Sequence, residues 1–430
     1  MQRVHFIGIG GIGISALARF LKEQGFKISG SDVKESKITK ELEKEGIKIQ
    51  IPHHKDNVKN VDLIVYSAAI KEDNEELISA RSQNIPTLSR KEALPMILKD
   101  KKVFAVAGAH GKSTTSSILA SLIQASVIIG AVLKEKGTNM LYKESENLIF
   151  EADESDSSFL NSNPYLAIVT NVEAEHLDHY GNNITKLYKA YEDFLNLSKI
   201  QVINAEDDFL ASLNLANVKK LYPSQDITNL CMSVKDFKPR INFELRNYGK
   251  FSICGIGEHI AIDACLAILA ASEFLDIEQI RKNLYDYQGI KKRFDILFAT
   301  EKMALIDDYA HHPTEIKMTL KAAKEYANLA GYKKLTAIFE PHRYTRLNAN
   351  IEYFSEVLSC VDELYILPVY AAGEDKIEIN MQKYFPQAHF IKEIKREQNA
   401  LYLDDILIND GLVIGFGAGD ISIKLRGSYA

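Results

Sequence analysis

Between Ala105 and Thr115 the chain reads AVAGAHGKSTT, and this run holds the residue types that phosphate chemistry needs. Gly108 and Gly111 make a tight turn around Ala109 and His110, and Lys112 adds a full positive charge beside the N–H groups that open a helix. Ser113, followed by Thr114, stands where nucleotide-binding loops hold a phosphate-bound Mg2+. The spacing is GxxGKS, two residues shorter than the usual phosphate-loop pattern. Two later stretches deliver further ligand types. The segment EADESDSSF brings Glu154, and TNVEAEHLD brings His176. Each follows an apolar run (148–152 and 166–170) that reads as a strand, and hard Mg2+ takes oxygen ligands close to phosphates.

A second glycine loop lies at the N-terminus. HFIGIGGIG places Gly8, Gly10, Gly11 and Gly13 between a strand and a helix, and the next strand ends at Asp32, about 20 residues on, as a dinucleotide fingerprint requires. A strand ending at Ser67 runs into SAAI, small residues able to line a crevice. Alone, this half admits an NAD(P)-binding oxidoreductase or sensor with a regulatory phosphate loop. Near the C-terminus, DDYAHHPTE, EPHRYTR, YAAGED and GAGD follow four more apolar runs. In an open parallel sheet the carboxyl ends of the strands form the ligand crevice, so these segments, with Asp308, His311, Arg343 and Arg346, outline one site.

The elements that must position these residues are strands alternating with helical stretches, which predicts an α/β chain. At 430 residues it exceeds one core. The charged run at 99–102 and the basic segment YQGIKKRFD (287–295) divide it into expected domains at 1–98, 99–290 and 291–430. Residues 205–256 carry strand-like pieces and no motif. A formal charge of -6 offers no general attraction to nucleic acid or to an anionic membrane, so neither is expected as a partner. Four scattered cysteines without CxxC spacing argue against structural zinc and suit a reducing cytoplasm. The N-terminus has no basic segment followed by an apolar run. The apolar stretch 118–133 is interrupted by Ser121, Gln124 and Gly130 and reads as a buried helix and strand.

Taken in order, HFIGIGGIG, GAHGKSTT, EADESDSSF, TNVEAEHLD, DDYAHHPTE, PHRYTR and GAGD resemble the Mur ligases of bacterial peptidoglycan synthesis over nearly the whole chain. The resemblance implies three domains: an N-terminal Rossmann-like domain for the UDP end of a substrate, a central P-loop ATPase, and a C-terminal Rossmann-like domain for an amino acid. It implies ATP and Mg2+ as cofactors, UDP-N-acetylmuramate and L-alanine as partners, and a monomer or homodimer. Lys112 then meets the β and γ phosphates, Ser113, Glu154 and His176 the metal, and Asp308 the ATP ribose. His311, Arg343 and Arg346 position the amino acid and acyl phosphate. Glycines 8, 10, 11 and 13 with Asp32 and Ser67 receive the UDP-sugar. A near rival is the ligase that recycles a murein tripeptide onto the same sugar; its first loop usually departs from GIGGIG, which this chain keeps. Ile260 and Asp263 stand where the family commonly has two adenine-recognising asparagines, and Glu175 where many members have aspartate.

Overall fold

A computed structural model describes residues 2–134 and 137–427 of the chain. Packing divides it into two compact units, Met1–Asp226 with Ile262–Leu284, and Ile227–Ala261 with Tyr285–Ala430.

The first unit holds two sheets. Five parallel strands run in the order Lys48–Gln50, Lys27–Ser31, Arg3–Ile7, Leu63–Tyr66, Thr87–Ser89. Seven more are ordered Val218–Leu221, Ile200–Asn204, Pro164–Val169, Lys102–Ala107, Asn147–Glu151, Ser126–Ile128, Met140–Leu141, all parallel except the last pair. The strand KVFAVA is central, and its last five residues are buried, as expected where helices cover both faces of a parallel sheet. It delivers the phosphate loop, after which the helix Lys112–Leu122 begins. The runs at 148–152 and 166–170 that read as strands form Asn147–Glu151 and Pro164–Val169, and the sheet order makes these its two neighbours. The stretch 118–133 is the end of that helix and the strand Ser126–Ile128, and among the described residues no helix is long and apolar enough to cross a membrane.

In the second unit, a six-stranded sheet is ordered Asp295–Ala299, Met303–Asp308, Gly411–Phe416, Leu335–Phe339, Glu363–Ile366, His389–Phe390, with only the first strand antiparallel. The unassigned region 205–256 contributes a three-stranded antiparallel meander, Ile227–Lys235, Lys238–Leu245 and Gly249–Cys254. Arg426 clamps this unit's core, reaching Asp295 at 2.5 Å and Asp307 at 2.7 Å, both acids buried.

Candidate functional site

The phosphate loop takes its shape from backbone that only glycine adopts without strain. Gly108 has φ +138° and Gly111 φ +81°. A Cβ on Gly108 would overlap the Thr170 hydroxyl, and one on Gly111 would lie 2.6 Å from an Asp263 oxygen. Beyond Gly111 the helix Lys112–Leu122 has no side-chain cap among the described residues, so its first N–H groups, which lack intrahelical partners, are open to an anion.

Lys112 folds over the loop, donating to the Gly108 carbonyl at 2.5 Å and to Glu154 Oε1 at 3.1 Å. Ser113 Oγ donates to Glu151 Oε1 at 2.9 Å, and the other Glu151 oxygen accepts from Gly130 N at 2.7 Å. Burial pushes the carboxyls of both Glu151 and Glu154 above the ordinary range, against the pull of Lys112 on each. Glu154 is 1% exposed and its Oε2 has no hydrogen-bond partner among the described residues. A buried carboxylate oxygen left unsatisfied is costly, and a cation would satisfy it. Glu154, Glu175 and His176 each bring a ligand atom within 4.8 Å of the others. His110, Glu173 and Glu175 form a second, more exposed set sharing Glu175. Oxygen donors beside a phosphate loop fit Mg2+. The expected Lys112, Ser113, Glu154 and His176 are therefore brought together. Glu151 and Glu175 join them, although in the sequence Glu151 stands only as part of a strand and Glu175 only as a substituted position. The Thr114 side chain is half-buried, and its carbonyl accepts from Ser117.

The N-terminal glycines surround the end of Lys27–Ser31. Gly8 N and Ile9 N donate to the Ser31 carbonyl, and Gly10 N to Asp32 Oδ2 at 2.8 Å. Asp32 thus fastens the loop, while its Oδ1 accepts from Val33 N. Ser67 packs against Gly8, its Cβ 3.1 Å from where a Gly8 Cβ would be. Arg90 lies against Gly13 in the same way and approaches Asp156 of the EADESD segment at 3.7 Å. Nothing in the sequence had singled out Arg90.

In the second unit, strand ends again gather the polar groups. Both Asp308 oxygens are already engaged, by Ala310 N at 2.8 Å and Phe294 N at 2.7 Å, and burial raises its carboxyl above the ordinary range. His311 Nδ1 faces the Tyr309 carbonyl at 3.0 Å and so carries the proton, which leaves Nε2 as an acceptor. Burial lowers the pKa of His311 and of His342. Arg346 donates to His342 Nδ1 at 3.1 Å. Arg343 has φ +69° and ψ 132° at the head of the helix Tyr344–Leu358, an unfavourable conformation for a residue with a Cβ. Glu374 holds that turn, accepting from Thr345 N at 3.1 Å and Thr345 Oγ1 at 2.7 Å.

Three family descriptions cover the chain in succession: the Mur ligase family catalytic domain over residues 3–102, the Mur ligase middle domain over 106–271, and the Mur ligase glutamate ligase domain over 292–419. A UDP-N-acetylmuramate–L-alanine ligase of Campylobacter jejuni is 68% identical over 428 residues, 99% of each chain. One of Helicobacter pylori is 48% identical, covering 99% of this chain and 96% of its own. Among solved structures, the UDP-N-acetylmuramate-alanine ligase of Thermotoga maritima superposes with TM-score 0.82 at 28% identity, covering 99% of this chain and 98% of its own.

Proposed function

We infer the reaction from membership and site together: the chain belongs to the Mur ligase family, and we propose that it joins L-alanine to the lactyl carboxylate of UDP-N-acetylmuramate with ATP. A carboxylate does not condense with an amine in water unless activated. The γ phosphoryl of ATP passes to the lactyl carboxylate, ADP leaves, and the L-alanine amine displaces phosphate from the acyl phosphate. The observation that carries this reading is the phosphate loop with Lys112 Nζ 3.1 Å from Glu154 and Ser113 Oγ 2.9 Å from Glu151.

Phosphoryl transfer asks chiefly for positioning and charge neutralisation. Lys112 and the free N–H groups at the head of its helix meet the phosphates. Ser113 with Glu151, and Glu154 with Glu175 and His176, are the groups that would hold Mg2+, which supplies charge neutralisation when bound. In the second unit His311 Nε2, neutral at pH 7, accepts a proton from the L-alanine ammonium and so frees the amine lone pair for attack, while Arg343 and Arg346 hold carboxylate and phosphate oxygens. The glycine loop at 8–13, with Asp32, Ser67 and Arg90, receives the UDP-sugar.

The test is phosphate release from ATP in the presence of UDP-N-acetylmuramate, scanning L-alanine, glycine, L-serine and the murein tripeptide. L-alanine is expected to stimulate most. Stimulation by the tripeptide alone would replace this assignment with the recycling ligase.

A further inference from the structure

The parallel ladder between Lys102–Ala107 and Pro164–Val169 does not stop at the strand ends. It ends in register at Val169 and Ala107, yet Thr170 N still donates to the Ala107 carbonyl and Ala109 N to the Asn171 carbonyl, each at 3.1 Å. One residue further on, a side chain takes over from the main chain. Asn171 Oδ1 accepts from His110 N at 2.9 Å, and Asn171 Nδ2 donates to the His110 carbonyl at 3.1 Å. Only this orientation of the amide matches donor to acceptor at both ends. The Thr170 hydroxyl adds a bond to the same carbonyl at 2.5 Å.

The amide of Asn171 therefore acts as one more peptide unit of the sheet, bonded to both backbone groups of the residue at the tip of the phosphate loop. The loop is two residues shorter than the usual pattern, and the dipeptide Thr170–Asn171 grips it from the neighbouring strand end. Beyond His110 the chain turns at Gly111 (φ +81°), where the helix Lys112–Leu122 begins without a side-chain cap among the described residues.

We propose that Asn171 is a positioning residue for phosphoryl transfer, fixing the His110 backbone and so aiming the N–H groups of the shortened loop at phosphate. This rests on the ligase reading above for the reaction, though not for the geometry.

The experiment compares wild type with Asn171→Ala and the isosteric Asn171→Asp, whose second carboxylate oxygen would face the His110 carbonyl without a proton to share. Both variants are expected to lose about 10- to 100-fold in kcat, because misplacing donors by an ångström costs rate on that scale. The KM for UDP-N-acetylmuramate should change less than threefold. Amide hydrogen exchange at residues 109–111 should quicken in both. A packing role would spare the isosteric variant, so Asn171→Asp with wild-type kcat overturns the proposal. Unchanged exchange at 109–111 overturns it too, whatever the reaction proves to be. Wild type that releases no phosphate with any amine substrate would instead remove the ligase reading, and the exchange result would still decide the role of Asn171.

Discussion

Replacing Asp263 with asparagine tests the electrostatics beneath the phosphate loop. Asp263 is 6% exposed, on the helix Glu258–Ala271, with an oxygen 2.6 Å from the position of a Gly111 Cβ. Burial pushes its carboxyl from 3.8 up to about 8. The folded protein therefore binds this proton more tightly than the unfolded chain does. The stability that results is complete below about pH 4 and is lost as pH rises towards 8. About four pH units at ~1.36 kcal/mol each give about 5 kcal/mol between the two plateaus. Asparagine has nearly the same shape and no proton to lose. Asp263→Asn should thus match wild type near pH 4, exceed it by about 1–2 kcal/mol at pH 5 and by about 4 kcal/mol at pH 7, and level off above pH 8. Urea unfolding followed by far-ultraviolet circular dichroism at pH 5, 6, 7 and 8 measures this directly. The KM for ATP adds a second readout, since an ionised Asp263 beside the loop repels phosphate. It should climb between pH 7 and 9 in wild type and stay flat in the variant. A stability gap equal at pH 5 and pH 8, or a wild type the more stable at pH 8, would refute the reasoning.

Four other changes have expected outcomes. Lys112→Ala should abolish most ATP-dependent ligation, a loss of about 10²- to 10³-fold, while leaving the circular dichroism spectrum intact; near-normal turnover would contradict the phosphate-loop assignment. Arg426→Met leaves two buried acids without their shared cation and should destabilise the second unit by about 3–5 kcal/mol, read as an earlier urea transition. Because burial lowers the pKa of His311, kcat should hold as pH falls through 6.5 and drop only below it, and His311→Gln should erase that limb of the profile. Glu374→Ala removes the acceptor for Thr345 N and Oγ1 and should raise the KM for L-alanine, with little effect on the KM for ATP.

What could be read from the sequence was what depends on runs and ends. Lys102–Ala107 is an apolar run before paired glycines, and every strand expected at a site is present within a residue or two. Partners across strands were harder. Glu151 belongs to the strand Asn147–Glu151 by pattern, and only the sheet order puts it beside Ser113. Asn171 acts through a ladder whose register no single segment encodes. The strand-like pieces within 205–256 carry no motif that shows how they pair, although Lys238–Leu245 proves to alternate in burial as the middle strand of the meander. Its first turn is made by Asp236 and Phe237, both at positive φ, where Asn-Gly or Asp-Gly is the usual signal.

The first unit resumes at Ile262 after a departure at Asp226, and this sets a timetable for the nascent chain. Phe104 of the central strand stacks on Phe274 at 5.0 Å, and Asn283 caps the Leu122 carbonyl at 3.0 Å. At about 5–20 residues per second of synthesis, residues 227–284 take roughly 3–12 s to emerge. Through that interval the flank of the sheet behind the phosphate loop waits uncovered, so that is when a chaperone would have most to hold.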